Sequence, residues 1–436
     1  MSKHTTGSMS LYTATCLVVA NMVGTGVFTS VGFQLKAGLS PFPILVLWLV
    51  GGVCAFCGSV AYAELAAAVP RSGGEYHFLA RIFHPAFGFL AGWASITAGF
   101  AAPVALAAMA AGRYVHGVWS TVPAGVVAGA AVVGITAAMI ANPRIRVAFQ
   151  NSATSLKLLL LVVFVLFGAV APATGSSLAP QAGDGGQILS PAFAFNLIFV
   201  MYAYAGWNAS AYVTGEVHHP TRNVPLSMAL GTIIVTILYI AINAVFLRVA
   251  PAAELNGQIE AGLIAGRHAF GETGGRCMAL LITLGLLSSI GAMQWVGPRV
   301  LATMGEDHRL LHPFSHGNSH GMPVIATVTQ TALVALLLAT GTFENLLTYV
   351  QFTITLCSFL AVLGVFVLRW REPALPRPVK AWGYPITPLV FLTVNGWMLW
   401  HVLRSTPLES LAGLGTLLVG LVVFRMSGKR STHPPQ

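Results

Sequence analysis

Charge is what this sequence has least of: 12 acidic and 22 basic side chains in 436 residues, or 8%. A water-soluble domain carries roughly 25%. So few charges leave no means of covering a water-facing surface. With 56% hydrophobic residues and a mean hydropathy of +0.77, lipid is the main solvent for this chain. The net charge of +10 does not point to nucleic acid, because the basic residues are sparse and sit in short loops between apolar runs. Cysteine is also scarce. Cys16, Cys54, Cys57, Cys277 and Cys357 lie in or near apolar runs, which excludes a disulfide scaffold. Cys54 and Cys57 form a C-x-x-C, read here as two small residues packing on one helix face.

Signatures of chemistry are missing too. There is no phosphate loop, no H-E-x-x-H and no nucleophile elbow. No paired acids or nucleophile–base arrangement falls within the apolar runs, so neither an enzyme nor a cofactor is expected. His308, His312, His316 and His320 recur every fourth residue, but Pro313 and Gly317 interrupt any helix there. They are read as a solvated loop, with no metal.

What is present is apolar length. A span needs about 20 mostly apolar residues. Twelve runs qualify: 11–35, 43–69, 85–112, 121–140, 150–171, 190–214, 225–250, 274–301, 322–340, 345–369, 386–404 and 407–425. The first follows Lys3, continues past Phe28 and lacks a small-x-small cleavage site, so it is read as a span and not a signal peptide. The predicted fold class is all-α integral membrane, with 12 transmembrane helices in one domain over 1–436. An even number puts both termini on one side. Loops on that side hold Lys3, Arg71, Arg81, Arg144, Arg146, Arg222, Arg299, Arg309, Arg369, Arg371, Arg377, Lys380, Arg425, Lys429 and Arg430; the other side holds Lys36, Arg113, Arg248, Arg267, Arg276 and Arg404. The positive-inside rule then predicts cytoplasmic termini. Residues 251–272 carry Glu254, Glu260, Arg267 and Glu272 and are expected to form an outer helix or lid. Residues 371–385 are a basic, Pro-rich linker that divides ten spans from two. Glu64 and Glu216, at span ends, are expected to organise loops.

Two spans carry interruptions. The first contains Asn21-Met22-Val23-Gly24-Thr25-Gly26-Val27-Phe28, where two glycines weaken the helix. A break in lipid is tolerated where freed backbone groups line a cavity or face protein. Freed N–H groups bind a carboxylate and freed carbonyls an ammonium; close glycine-mediated packing is the other reading. The sixth contains Tyr202-Ala203-Tyr204-Ala205-Gly206-Trp207-Asn208. In a chain of two five-span repeats these positions are equivalent, and interrupted helices at equivalent positions point to a transporter's binding site. Lys157 falls within the fifth span, roughly 10 Å in if that helix starts near Gln150. It either snorkels to the interface or serves as a fixed cation on the carbonyls of the broken first span.

Four stretches, in order, resemble the amino acid–polyamine–organocation family of transporters, and within it the L-type-like bacterial amino acid permeases. They are MVGTGVF, AYAELAAAVPRSGGEYHFLARIF, YAYAGWNASAYVTGEVHHPTRNVP and LPRPVKAWGYPITPL. The resemblance implies a LeuT-like five-plus-five inverted repeat with discontinuous helices 1 and 6: repeat one about 11–171, repeat two about 190–369, additional spans 386–425. It implies a substrate carboxylate on the backbone of Gly24, Thr25 and Gly26, and an amine on carbonyls near Met22, Tyr202, Ala203 and Ala205, with Tyr202 as an aromatic gate. Lys157 falls where many members carry a lysine in the place of a sodium ion, with Ser288 and Ser289 as its weaker candidate partners. The loop RYVHGVWST lacks the cysteine that animal members use to bind a glycoprotein, so no heavy subunit is expected. Ala205 stands where glycine is common.

Span three is rich in Ala and Gly, and no Asp or Glu falls mid-span, which favours neutral substrates. The expected function is sodium-independent exchange of small neutral amino acids by alternating access in a bacterial cytoplasmic (inner) membrane. The expected partners are substrate and membrane lipid, with no nucleic acid. A proton-coupled uptake permease and an amino acid sensor are the alternatives.

Overall fold

The computed structural model describes residues 9–428 apart from 142, 320 and 341–342. Lys3, Lys429, Arg430 and His320, used above, lie outside the described residues. Helix dominates, and among the described residues the one β-type pairing is an isolated bridge between Met9 and Val217.

The first run folds as two helices, α1 (Leu11–Met22) and α2 (Gly26–Lys36). Next come α3 (Pro41–Ala68), a short α4 (Glu75–Ile82), and α5 (Pro85–Val118), which carries a π-helical turn over Ser95–Ala101. Then follow α6 (Ala124–Ala141), α7 (Pro143–Val170), α8 (Pro191–Tyr204) and a single turn, α9 (Ala209–Tyr212). The remainder are α10 (Pro220–Val249), α11 (Ala261–Asp307), α12 (Val324–Thr340), α13 (Phe343–Arg371), α14 (Ile386–Ser405) and α15 (Pro407–Ser427).

Local chemistry sets the starts. Pro41, Pro85, Pro191, Pro220 and Pro407 open their helices, where the missing N–H is one that a helix leaves unpaired anyway. Serine caps both helices that later break: Ser10 accepts from the Thr13 N–H and Ser190 from the Phe193 N–H.

Among the described residues nine helices are long and apolar enough to cross a membrane, and three shorter apolar helices (α6, α8 and α12) fall at the expected fourth, sixth and ninth spans. Two boundaries differ from expectation in ways that matter. α7 begins at Pro143, not near Gln150, because the Arg144–Arg146 stretch is already helical. Lys157 therefore stands about 21 Å along that helix. In α11 the expected outer helix and span eight run into one another, with a turn at Gly271 (φ +73°).

Burial ranks the helices. In the most apolar window of α1–α2, 94% of residues are buried, against 33% for α14 and 22% for α15. The broken helix is thus the centre of the bundle, and the last two helices lie at its edge, with α7 as little buried as α14. Both described ends lie on one side. Met9 exchanges backbone bonds with Glu216 and His218, Glu216 pairs with Arg299 of α11, and His308 at the end of α11 meets Ser427. On the same side Glu64 accepts from Arg369 and the Ala381 N–H and forms an ion pair with Arg377, which clamps the Pro-rich linker onto α3. On the other side residues 255–258 pack on α2, where the Gly257 N–H bonds the Gly32 carbonyl.

Candidate functional site

The break between α1 and α2 is a short turn with spare donors. The Gly24 N–H folds back onto the Met22 carbonyl at 2.8 Å. The N–H groups of Thr25, Gly26 and Val27 open α2 and make no backbone hydrogen bond among the described residues. Unpaired N–H groups at a helix start attract a carboxylate.

The second break follows Tyr204. Ala205 leaves the helix (φ −57°, ψ 143°), and Gly206 adopts φ +103°. A side chain at Gly206 meets two obstacles: the left-handed backbone, and Asn21, whose atoms would stand 2.8–3.0 Å from its Cβ. The two breaks touch directly. A Cβ on Gly26 would stand 2.6 Å from the Ala203 Cα, and the hydroxyls of Thr25 and Tyr202 are 3.3 Å apart.

A cavity of about 60 Å³ opens between them, enough for a few water molecules. All seven residues expected to meet substrate line it: Met22, Gly24, Thr25, Gly26, Tyr202, Ala203 and Ala205. Opposite stand Ser95, Gly99 and Phe100, presented by the π-helical turn of α5; such turns are frequent at functional sites. The carbonyls are not equally free. The Met22 carbonyl accepts from the Gly24 N–H and from the Tyr239 hydroxyl at 2.6 Å, which engages both lone pairs. The same hydroxyl lies 3.0 Å from the Ala203 carbonyl, and the Tyr202 carbonyl accepts from the Ala205 N–H. The Met22 carbonyl therefore has no free lone pair unless the Tyr239 hydroxyl moves.

Lys157 sits behind the first break, 1% exposed. Its Nζ donates to the Val23 carbonyl at 2.9 Å, the Ser289 hydroxyl at 3.3 Å and the Gly285 carbonyl at 3.4 Å. Ser289 also donates to the Val23 carbonyl, at 2.7 Å. The two serines thus divide: Ser288 lies 3.2 Å from the Thr154 hydroxyl instead of Lys157.

The amino acid permease family matches residues 9–410. The chain belongs to the amino acid permease family. This places the permease in the amino acid–polyamine–organocation superfamily, as a multi-pass membrane protein. It is 26% identical to the b(0,+)-type amino acid transporter 1 of Mus musculus over 427 residues, covering 95% of this chain and 87% of that one. It is 26% identical to the Asc-type amino acid transporter 1 of Mus musculus, covering 95% and 80%. To the large neutral amino acids transporter small subunit 2 of Rattus norvegicus it is 27% identical, covering 98% and 82%.

Two residues at the site of the permease escape a reading of its sequence, one behind the cavity wall and one in it. Tyr239 bridges both breaks from α10, where it looks like one more aromatic in an apolar run. Glu75 lines the cavity although it precedes the third apolar run. This corrects the ground given above for neutral substrates: a carboxylate does reach the cavity, from a connection between spans. The signal for it is Gly73-Gly74, both at positive φ (+109° and +51°), which turn the chain inward.

Elsewhere, Cys54 accepts from Asn395 at 3.1 Å, a helix-packing contact. His312 and His316 stand ring to ring in a short turn beyond α11. No group of three or more His, Cys, Asp or Glu gathers as a metal site among the described residues.

Proposed function

We propose that this permease exchanges small neutral amino acids independently of sodium, by alternating access around the two breaks. The observation that carries this reading is the Lys157 ammonium on the Val23 carbonyl. Val23 O, Gly285 O and Ser289 Oγ are oxygen ligands of the type that would hold a hard cation. A covalently attached ammonium fills their place, so closing the first break requires no ion from solution.

The substrate class follows from the cavity wall. The N–H groups of Thr25, Gly26 and Val27 suit a carboxylate. A cavity of about 60 Å³ leaves little room, and Ala203, Ala205, Gly24 and Gly99 offer no charge. Glu75 does not call for a cationic side chain, because four neutral donors already satisfy its carboxylate. The names of the relatives agree on amino acids as cargo.

The architecture proposed with this function has twelve spans in a five-plus-five inverted repeat, over about 11–171 and 190–369, with α14 and α15 added. Serine-capped helices that break at corresponding places in the two halves support it. The shared side of the termini and the basic loops support cytoplasmic ends in a bacterial inner membrane. The absence of cysteine between α5 and α6 supports action without a heavy subunit.

Thermal unfolding of the purified permease with single amino acids tests the site. Alanine, serine and other small neutral amino acids should raise the midpoint, and arginine and lysine should not. Stabilisation by cationic amino acids alone would overturn the substrate class.

A further inference from the structure

Glu75 is 2% exposed and stands at the junction of three elements. Its Oε1 accepts from the Tyr62 hydroxyl of α3 at 2.5 Å, the Ser358 hydroxyl of α13 at 2.8 Å and the Asn208 amide at 3.3 Å. Its Oε2 accepts from the Tyr212 hydroxyl of α9 at 2.9 Å. The backbone adds a tie, Gly73 N–H to the Tyr212 carbonyl. Every donor is neutral, and among the described residues Glu75 forms no ion pair.

The other titratable groups facing it are the Tyr62 and Tyr212 phenols and the Cys357 thiol. Nearby, burial and then Arg71 hold His77 down to about 4. Arg71 itself is engaged by Asp307 and Glu306 at the rim.

We propose that Glu75 is a proton-linked latch: it ties the second half of the broken sixth helix to α3 and α13 while the side of the cavity bearing the chain termini is closed, and releases a proton when that side opens. The proposal rests on the transport reading above.

Opening that side moves α9 away from α3 and α13. Two of the four donors, Asn208 and Tyr212, leave with it, and water takes their place. In the closed state burial pushes the Glu75 carboxyl above the ordinary carboxylate range, against the hydrogen bonds from Tyr62, Ser358 and Tyr212 that lower it. In water it returns to the ordinary range. The carboxyl therefore holds its proton more tightly closed than open, so protonation favours the closed state, and a falling pH on that side slows opening. The proton comes from water on the side of the termini as that side closes and forms an O–H bond on a carboxyl oxygen, and one facing hydroxyl rotates to accept it. On opening that O–H bond breaks and the proton passes to water on the open side.

The test is exchange flux in liposomes with the permease in one orientation, with pH varied from about 4.5 to 8 on the side of the termini. Amino acid binding is measured separately by thermal unfolding. Wild-type flux should fall on acidification, with a limiting slope of about tenfold per pH unit for one proton. Glu75→Gln should lose that slope. Tyr212→Phe, which removes a donor to the charged form, should move the fall to higher pH, and carries the test if Glu75→Gln does not fold. A wild-type profile in either variant, or flat flux in the wild type, overturns the latch. Absence of both binding and flux for every amino acid overturns the transport reading, and the latch with it.

Discussion

Two buried charges flank the cavity, and they are held in opposite ways. Lys157 meets two backbone carbonyls and one hydroxyl; Glu75 meets three hydroxyls and one amide, all from side chains. Burying a charge costs heavily unless hydrogen bonds replace water, and each site supplies them without an opposite charge. The difference lies in what each grips. Lys157 holds the backbone of the first break itself, so its contact forms or breaks with the geometry of α1 against α2. Glu75 holds side chains on the far half of the second break, so its shell is dismantled when that half moves. On the function proposed above, the first suits an amine tethered in the place of a dissolved ion. The second suits a group whose charge changes during the cycle.

The largest effect should come where the two breaks meet. Gly26→Val would place a branched side chain on the Ala203 backbone, which cannot shift as a flexible side chain would. Overpacking costs about 1–3 kcal/mol or more, so the unfolding midpoint should drop and substrate stabilisation vanish. Gly24→Ala is the contrast: its Cβ meets nothing nearer than the Met22 carbonyl at 3.9 Å, and stability should stay within about 0.5 kcal/mol. Equal midpoints for the two variants would show that the breaks are not pressed together.

Next is Lys157→Ala. Charge-assisted hydrogen bonds contribute about 1.5–3 kcal/mol each, so exchange flux should fall by about tenfold or more, while the protein still purifies as a folded monodisperse species. Unaltered flux kinetics would remove the role given to this lysine. Tyr239→Phe should have a smaller effect, about 1 kcal/mol of stability, with amino acid affinity changed because the Met22 and Ala203 carbonyls lose a shared donor. No change in affinity would separate Tyr239 from the site. Smallest of all, Arg81→Ala breaks the exposed pair with Glu372. It should alter stability by less than about 1 kcal/mol and leave flux intact; a large loss of flux would move the important contacts from the cavity to the rim.

The two charged residues also differ in how visible they are in the sequence. Lys157 stands out because a lysine in a long apolar run is rare, and Gly24, Gly26 and Gly206 stand out because glycine mid-span weakens a helix. The long apolar helices, and the parting of the last two from the rest, follow from run length and the basic linker. Glu75 is hidden because its neighbours, Arg71 through Glu75, look like an ordinary polar loop. Only its two left-handed glycines and the hydrogen bonds of Tyr212 and Ser358, over 130 and 280 residues away, draw it inside. Tyr239 is hidden for the converse reason: in an apolar helix its ring is unremarked, and its hydroxyl acquires meaning only when Met22 and Ala203 are brought beneath it. The engagement of the Met22 carbonyl is likewise a fact of three dimensions.

The central claim is that two apposed breaks, held without a dissolved ion, carry amino acids by exchange. Its most direct test is uptake of labelled alanine, serine and leucine into liposomes containing the purified permease. The vesicles are either empty or preloaded with unlabelled neutral amino acids, each with and without sodium. Uptake should require internal amino acid and stay unchanged when sodium is removed. Uptake into empty vesicles that depends on a sodium gradient would contradict it.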